Sequence, residues 1–533
     1  MKRILSLLCC FFMSLLAIAP LNEAEAVSKG KIVFVPHDDR PTSGAESAEP
    51  LEMLGYEVVM PPLDLLGGLD KIGNPDKLAE WTKENITGAD AVVISSDSML
   101  YGGLVASRRH ELSEGELQKR LNVISDLKKE NKKLNVYVFG SLMRTPSCPE
   151  NAGSEEPDYY SIYGAEIFQR SALMDKAEMN GLTVNEDNKL QQLKKYIPQD
   201  IWNDWYNRRQ KNIEVTKKLI DFADNGTIDY LIVGKDDNAP LSATHMESRH
   251  LTEYAVNVPK TKFQLLAGID EFATLSLTRA VNKHENIVPK INVRYNIGKG
   301  EKTIPAFSDE TIGSSITNEI IIVNGEEVSE PDKADLVLLV NTNPDGRTGD
   351  GNALADMSAY TDSPRYGTYE FADLVGKMLN SGYNVAIADI AFANSSDNAL
   401  MKVMKERDYL MKLRAYAGWN TPTNSTGFVL GQGVMACRLP QQDCHRLLME
   451  RFLDDWCYQG NVRVDTMNML YNEYGVHQLD KPMGSCEKEA SIRTAQMIKN
   501  FAERNLPYYP QIKDLTFYFP WHITFIGGIN LPK

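Results

Sequence analysis

The chain has 533 residues, of which 43% are hydrophobic and 24% charged, and its formal net charge is −15. That length exceeds one ordinary core and predicts about two to four domains, and the composition is that of a globular chain rather than a disordered one. The acidic balance argues against a nucleic-acid partner, because phosphate backbones are gripped by clustered Lys and Arg.

The first residues read as a secretory signal peptide spanning 1–26. A basic "MKR" precedes the apolar "ILSLLCCFFMSLLAIAPL", and "NEAEA" offers a small-residue cleavage site after Ala26. The expected product is secreted or extracytoplasmic, with no stable membrane insertion. The competing reading, a single anchor, sits near the lower length limit for a span. Cys148, Cys437, Cys444, Cys457 and Cys486 remain after cleavage. An odd count leaves at least one thiol outside any internal pair, and the spacing is not that of a zinc site.

Beyond the signal, short β-branched runs alternate with helical patterns. "KIVFVP", "YEVVMP", "ADAVVISS", "NVYVFG", "DYLIVG" and "KFQLLAG" come first, followed by "KINVRYNIG", "ADLVLLVN", "YNVAIADI" and "KLRAYAGW". Continuous apolar strands are buried on both faces, and strand–helix alternation implies parallel strands joined by right-handed crossovers. Ten strands are too many for one eight-stranded barrel. The expected fold is therefore α/β, with two doubly wound parallel-sheet lobes and a mostly helical C-terminal region. The alternative is an eight-stranded β/α barrel with an inserted subdomain. The lobes are placed at 27–288 and 289–430, with a helical insertion near 155–225 in the first and the helical region at 431–533.

Polar clusters follow the strands. They are His37-Asp38-Asp39-Arg40; Asp97, Ser98, Tyr101 and Arg108; Lys235-Asp236-Asp237-Asn238; Asp270-Glu271; "TNPDG"; Asp389 with Asn394; and Trp419-Asn420 with Asn424. Ligands in open α/β sheets bind outside the carboxyl ends of the strands, and barrels use the same end. Any one cluster taken alone is better explained by helix capping. Seven clusters in the same topological place point to a ligand cleft.

Asp236 and Asp237 are adjacent at a strand end, where both side chains can reach one cleft. Two nearby carboxylates push one proton affinity up, which suits a general acid. Glycosidases commonly draw their second carboxyl from another element, and Asp97 or Asp389 is available. The expected catalytic residues are Asp236, Asp237 and Asp97. Asp38, Asp39, Arg40, Tyr101, Arg108, Lys235, Asn238, Asp270, Asp389, Asn394, Trp419, Asn420 and Asn424 are expected to bind substrate. Arg40 suits an anionic group, and Trp419 with its amide neighbours suits a sugar platform. The leading expectation is a secreted hydrolase of a carbohydrate or cell-wall glycan. The alternatives are a non-catalytic binder of a polar metabolite, and a metal-dependent hydrolase using Asp38, Asp97, Asp237 and Asp389. No G-x-G-x-x-G, P-loop, H-E-x-x-H or G-x-S-x-G occurs, so no cofactor is expected.

Taken together, "VPHDDRP", "SSDSMLYGGLVASR", "GKDDNAP", "AGIDE", "DIAFANSSDN", "YAGWNTPTNSTG" and "PWHITF" resemble the bacterial family called domain of unknown function 4127, from about residue 30 to the C-terminus. His37 stands where that family usually has Leu, and Ile523 where it usually has Arg. The resemblance implies the motif set and names no substrate.

Overall fold

The computed structural model describes residues 28–147, 155–352, 356–478, 481 and 483–532. The expected signal peptide at 1–26 and Cys148 lie outside the described residues.

The chain builds two open parallel sheets. The first holds β1 (Lys31–Val35), β2 (Glu57–Val59), β3 (Ala91–Ser95), β4 (Asn135–Leu142), β5 (Tyr230–Lys235) and β6 (Phe263–Ala267), in the order β2-β1-β3-β4-β5-β6. The strands that follow are β7 (Lys290–Tyr295), β8 (Glu326–Glu327), β9 (Leu336–Asn341), β10 (Gly349–Asp350), β11 (Val385–Asp389), β12 (Phe392–Ala393) and β13 (Ala415–Ala417). Five of these form the second sheet, in the order β13-β11-β9-β7-β8, while β10 and β12 pair separately. Each sheet starts one strand in from an edge, places its second strand at that edge and its later strands on the other side. This leaves a switch point between β1 and β3, and another between β7 and β9, where doubly wound sheets open a crevice. Both sheets end in edge strands paired on one side, so the barrel alternative is corrected to two open sheets. The ten runs read from the sequence all appear as strands, the last shortened to Ala415–Ala417.

Strand side chains alternate between two cores. In β1, Ile32 and Phe34 face inward while Val33 and Val35 face the outer helices; in β9, Leu338 and Val340 face inward while Val337 and Leu339 face out. The inward faces of both sheets belong to one continuous apolar cluster. Helices Ala45–Met53, Phe272–His284, Ile312–Ile322 and Pro422–Ala436 contribute to it from between the sheets. Every residue of Pro422–Ala436 is buried, and polar side chains buried on it find partners, Ser425 donating to the Trp419 carbonyl and Thr426 to Glu319. Its glycines set the packing distance. A Cβ at Gly427 would lie 2.4 Å from Glu271 Cγ, and one at Gly431 would lie 2.7 Å from Thr274 Cγ2.

The expected helical insertion forms Tyr160–Asn180, Val184–Tyr196 and Gln199–Asp224 around its own small core, including Ile167, Trp202 and Trp205. The C-terminal region is mostly helical. Helix Gln441–Arg451 runs through a π-helical stretch, Phe452–Val462, into Arg463–Tyr474, and Glu487–Asn505 follows. The antiparallel pair β14 (Thr516–Tyr518) and β15 (Gly528–Asn530) closes the chain. Among the described residues no helix is long and apolar enough to cross a membrane. The described cysteines, Cys437, Cys444, Cys457 and Cys486, are free thiols.

Two buried glutamates sit in the layer between the sheets. Glu319 accepts a 2.7 Å bond from Thr426 Oγ1, and burial pushes its carboxyl up to about 8. Burial, followed by the neighbouring Glu319, raises Glu271 as well.

These contacts make two predictions. Helix propensity alone favours Gly431→Ala by about 1 kcal/mol, but overpacking against Thr274 outweighs it, and a net loss of about 1–2 kcal/mol is expected in denaturant melts. Glu319 ionises near pH 4.3 when unfolded and near 8 when folded, so the native state holds the extra proton between those values. Stability therefore falls as pH rises across that window. Melts at pH 5.5 and 8 should show the fall, and Glu319→Gln should make it shallower; an unchanged slope would contradict the assignment.

Candidate functional site

The carboxyl ends of both sheets open onto one cleft of ≈ 820 Å³, within the about 300–1,000 Å³ of small-molecule sites. The loops after β1, β3, β5 and β6 bring Arg40, Arg108, Asp236, Asp237, Asn238 and Asp270 to its wall, and the second sheet brings Asn394, Asn420 and Asn424.

Arg40 organises one end. Its Nη2 lies 2.7 Å from Asp38 Oδ2 and 2.7 Å from Asp270 Oδ1, and its guanidinium stacks 4.6 Å from the Trp521 ring. Asp270 also accepts from Asn420 Nδ2 at 2.5 Å, which ties the two sheets together. Asn424 Oδ1 accepts from the Ile269 amide at 3.0 Å, adding a second tie. Burial opposes the charge on Asp270, but Arg40 overrides it and holds the carboxyl well below its ordinary range. Asp38 is likewise lowered, by Arg40 against the cost of burial. His37 Nε2 lies 3.1 Å from Asp270 Oδ1, a contact that Leu could not make.

A second ionic cluster surrounds the "KDD" stretch. Arg108 donates through Nη2 to Asp236 and through Nη1 to Glu155 at 2.7 Å. Arg144 donates to Glu156 at 2.7 Å and to Asp237 at 2.8 Å. Burial raises the Asp236 carboxyl to about 6; Arg108 lowers it and the charge of Asp237 raises it.

The backbone is strained where the cleft is. Asp237 (φ 39°), Phe307 (φ 62°), Asn394 (φ 60°) and Asn420 (φ 75°) all adopt left-handed conformations and all line it. Such strain persists only where the surroundings over-determine it, and it gathers at functional sites.

Other expected site residues stand behind the wall. Asp97 is buried, accepts from Ser141 Oγ at 3.0 Å and is pushed by burial to about 7. Asp38 pairs with Arg40 beneath the surface, and Asp39 accepts from Trp521 Nε1 at 2.9 Å. Tyr101 stacks on His110, 4.8 Å between centroids. Lys235 bridges to Asp309 at 2.5 Å, joining the loops of the two sheets. Asp389 accepts from Asn341, Tyr416 and the Asp397 amide, and burial with the Asp397 charge raises it to about 7. Trp419 is buried against Phe525 and offers no open face as a sugar platform. Gly102 and Gly103 form a tight turn on the loop 67–73, the Gly73 amide donating to Gly102 O at 2.8 Å. Asp38, Asp97, Asp237 and Asp389 each engage different partners. No group of three or more His, Cys, Asp and Glu disposed to hold a metal occurs among the described residues.

Sequence reasoning missed Arg144, Glu155, Arg347 and Arg463, all of which line the cleft. Arg144 follows β4 and obeys the same rule as the clusters that were read. Arg347 follows "TNPDG" directly. Glu155 and Arg463 carry no local signal, because only the folded chain returns their segments to the strand ends.

Replacing Arg40 with Met leaves Asp38 and Asp270 buried without their cation. A loss of about 3–5 kcal/mol is expected in equilibrium unfolding; a loss under about 1 kcal/mol would show that Arg40 is not the organising contact.

Comparison with known proteins agrees with the motif set. No curated protein and no solved structure matches the chain. The profile described as "Protein of unknown function (DUF4127)" matches residues 32–529, nearly the whole chain. The protein therefore belongs to the DUF4127 family.

Proposed function

We propose that the protein is a secreted hydrolase of a carbohydrate or cell-wall glycan, with Asp236 as its general acid. The observation that carries this reading is the Asp236 carboxyl, raised by burial to about 6 on the wall of an open cleft even though Arg108 contacts it. A carboxyl with that proton affinity delivers a proton to a departing glycosidic oxygen near neutral pH. Asp237, which pairs with Arg144, would direct a water or assist the departing sugar from the adjacent position in this reading. Asn238, Asn394, Asn420 and Asn424 supply amide donors and acceptors along the cleft, a chemistry suited to hydroxyl groups. Asp97 lies behind this wall, where it accepts from Ser141. Secretion rests on the N-terminal segment of the sequence.

One observation favours the second reading, a non-catalytic binder. Asp236, Asp237, Asp270 and Glu155 are each ion-paired with an arginine, and acids held in ion pairs are equally suited to lining a site that only holds a polar ligand.

The test is turnover of a glycan panel by residues 27–533. Asp236→Asn should reduce the rate by about 100-fold or more while leaving binding intact. The wild-type rate should fall as pH rises through about 6, because the acid must be protonated. Full turnover by Asp236→Asn would sink the assignment; saturable binding with no product at any pH would favour the binder.

A further inference from the structure

The arginines of the cleft are not equivalent. Arg40, Arg108 and Arg144 are each met by two or more carboxylates. Arg463 is not. It is 5% exposed and lines the cleft, where the π-helical stretch Phe452–Val462 ends. Its Nη2 donates to the neutral Asn352 Oδ1 at 2.7 Å, its guanidinium lies 4.8 Å from the Phe525 ring, and its Nε has no partner. Asp350 acts on it through space without forming an ion pair. Burial, with no acid in contact among the described residues, holds its proton affinity below the ordinary arginine value, whereas Arg40, Arg108 and Arg144 are all raised.

Close by in sequence to Asp350, Arg347 is exposed and also lines the cleft. Its neighbour Thr348 carries a buried hydroxyl with no partner. Among the residues that line this side of the cleft, Arg463 from the C-terminal region and Arg347 from the second-sheet loops stand with one acid, Asp350, one positive charge in excess. A buried guanidinium without a counter-ion is costly, and an anionic ligand group removes that cost.

We infer that the cleft takes an acidic sugar whose single carboxylate docks on Arg463 and Arg347, while its hydroxyls face the asparagines of the wall. The inference rests on the carbohydrate reading and names the substrate class within it. A guanidinium matches a planar carboxylate through paired N–H donors. One surplus charge matches a monoanion, whereas a phosphate would bring about two negative charges.

The experiment is a binding titration of the full mature chain with paired monosaccharides that have no bond to cleave. The probes are N-acetylmuramic acid against N-acetylglucosamine, and galacturonate against galactose, with galactose 1-phosphate as a third arm. Each acid should bind about tenfold or more tighter than its neutral partner. Arg463→Met and Arg347→Met should each bring that ratio towards one while leaving the neutral sugar unchanged. Arg347 is exposed, so its variant tests the proposal even if Arg463→Met fails to fold. Equal binding of acid and neutral sugar, a preference that survives both substitutions, a stronger response to the phosphate, or no binding of either acid would each overturn the inference. These probes have no bond to cleave, so their binding is read independently of turnover, and a failure of the catalytic reading is separable from a failure of this one.

Discussion

The cleft depends on one buried ion-pair network centred on Arg40. Its guanidinium joins Asp38 from the β1 loop to Asp270 from the β6 loop, and it packs on Trp521 from the C-terminal segment. Asn420, at the end of β13, completes the network by bonding Asp270. Segments distant in sequence thus share one cation. Breaking a buried pair from one side leaves charge in a medium that cannot solvate it. The geometry of the cleft is therefore over-determined, which is the condition under which left-handed Asp237, Asn394 and Asn420 can persist.

Behind the network, the two sheets share one apolar interior rather than two. Helix Pro422–Ala436 approaches Phe272–His284 closely because Gly427 and Gly431 present no side chain at the crossing. Small strand residues serve the same end on the second sheet, where Ala386, Ala388, Ala415 and Ala417 face inward. The relative placement of the sheets, and with it the width of the cleft, follows from these close approaches. Glu271 and Glu319 sit in the same layer as buried acids that favour the protonated form. They connect the joint between the sheets to pH.

Charge within the cleft is divided by wall. The first sheet pairs its arginines with acids almost completely, so its surface is ordered and near neutral. On the opposite side, Arg463 from the C-terminal region has only an amide hydrogen-bond partner among the described residues. A polar ligand meeting both walls finds fixed dipoles and acids on one side and an unmatched cation on the other. This asymmetry orients a ligand that carries a charge at one end, and it is invisible in the overall charge of −15.

The sequence by itself determined the strands and their chemistry. Continuous apolar runs such as "KIVFVP" are read as strands covered on both faces, and the polar residues that follow them gather at the carboxyl ends. Arg40, Arg108, Asp236, Asp237, Asn238, Asp270, Asn394, Asn420 and Asn424 were legible for that reason, and all line the cleft. What the pattern could not separate is a residue on the wall from one just beneath it. Asp97, Lys235, Asp389 and Trp419 occupy the same kind of position in sequence, yet they are buried among their own partners. Depth depends on what packs above a strand end, and those neighbours come from distant segments. Arg463 and Phe525 reach the cleft only because the C-terminal region folds back over the strand ends. Local sequence fixes periodicity and residue type, whereas burial and charge pairing arise from long-range contacts, and only the tertiary structure decided them.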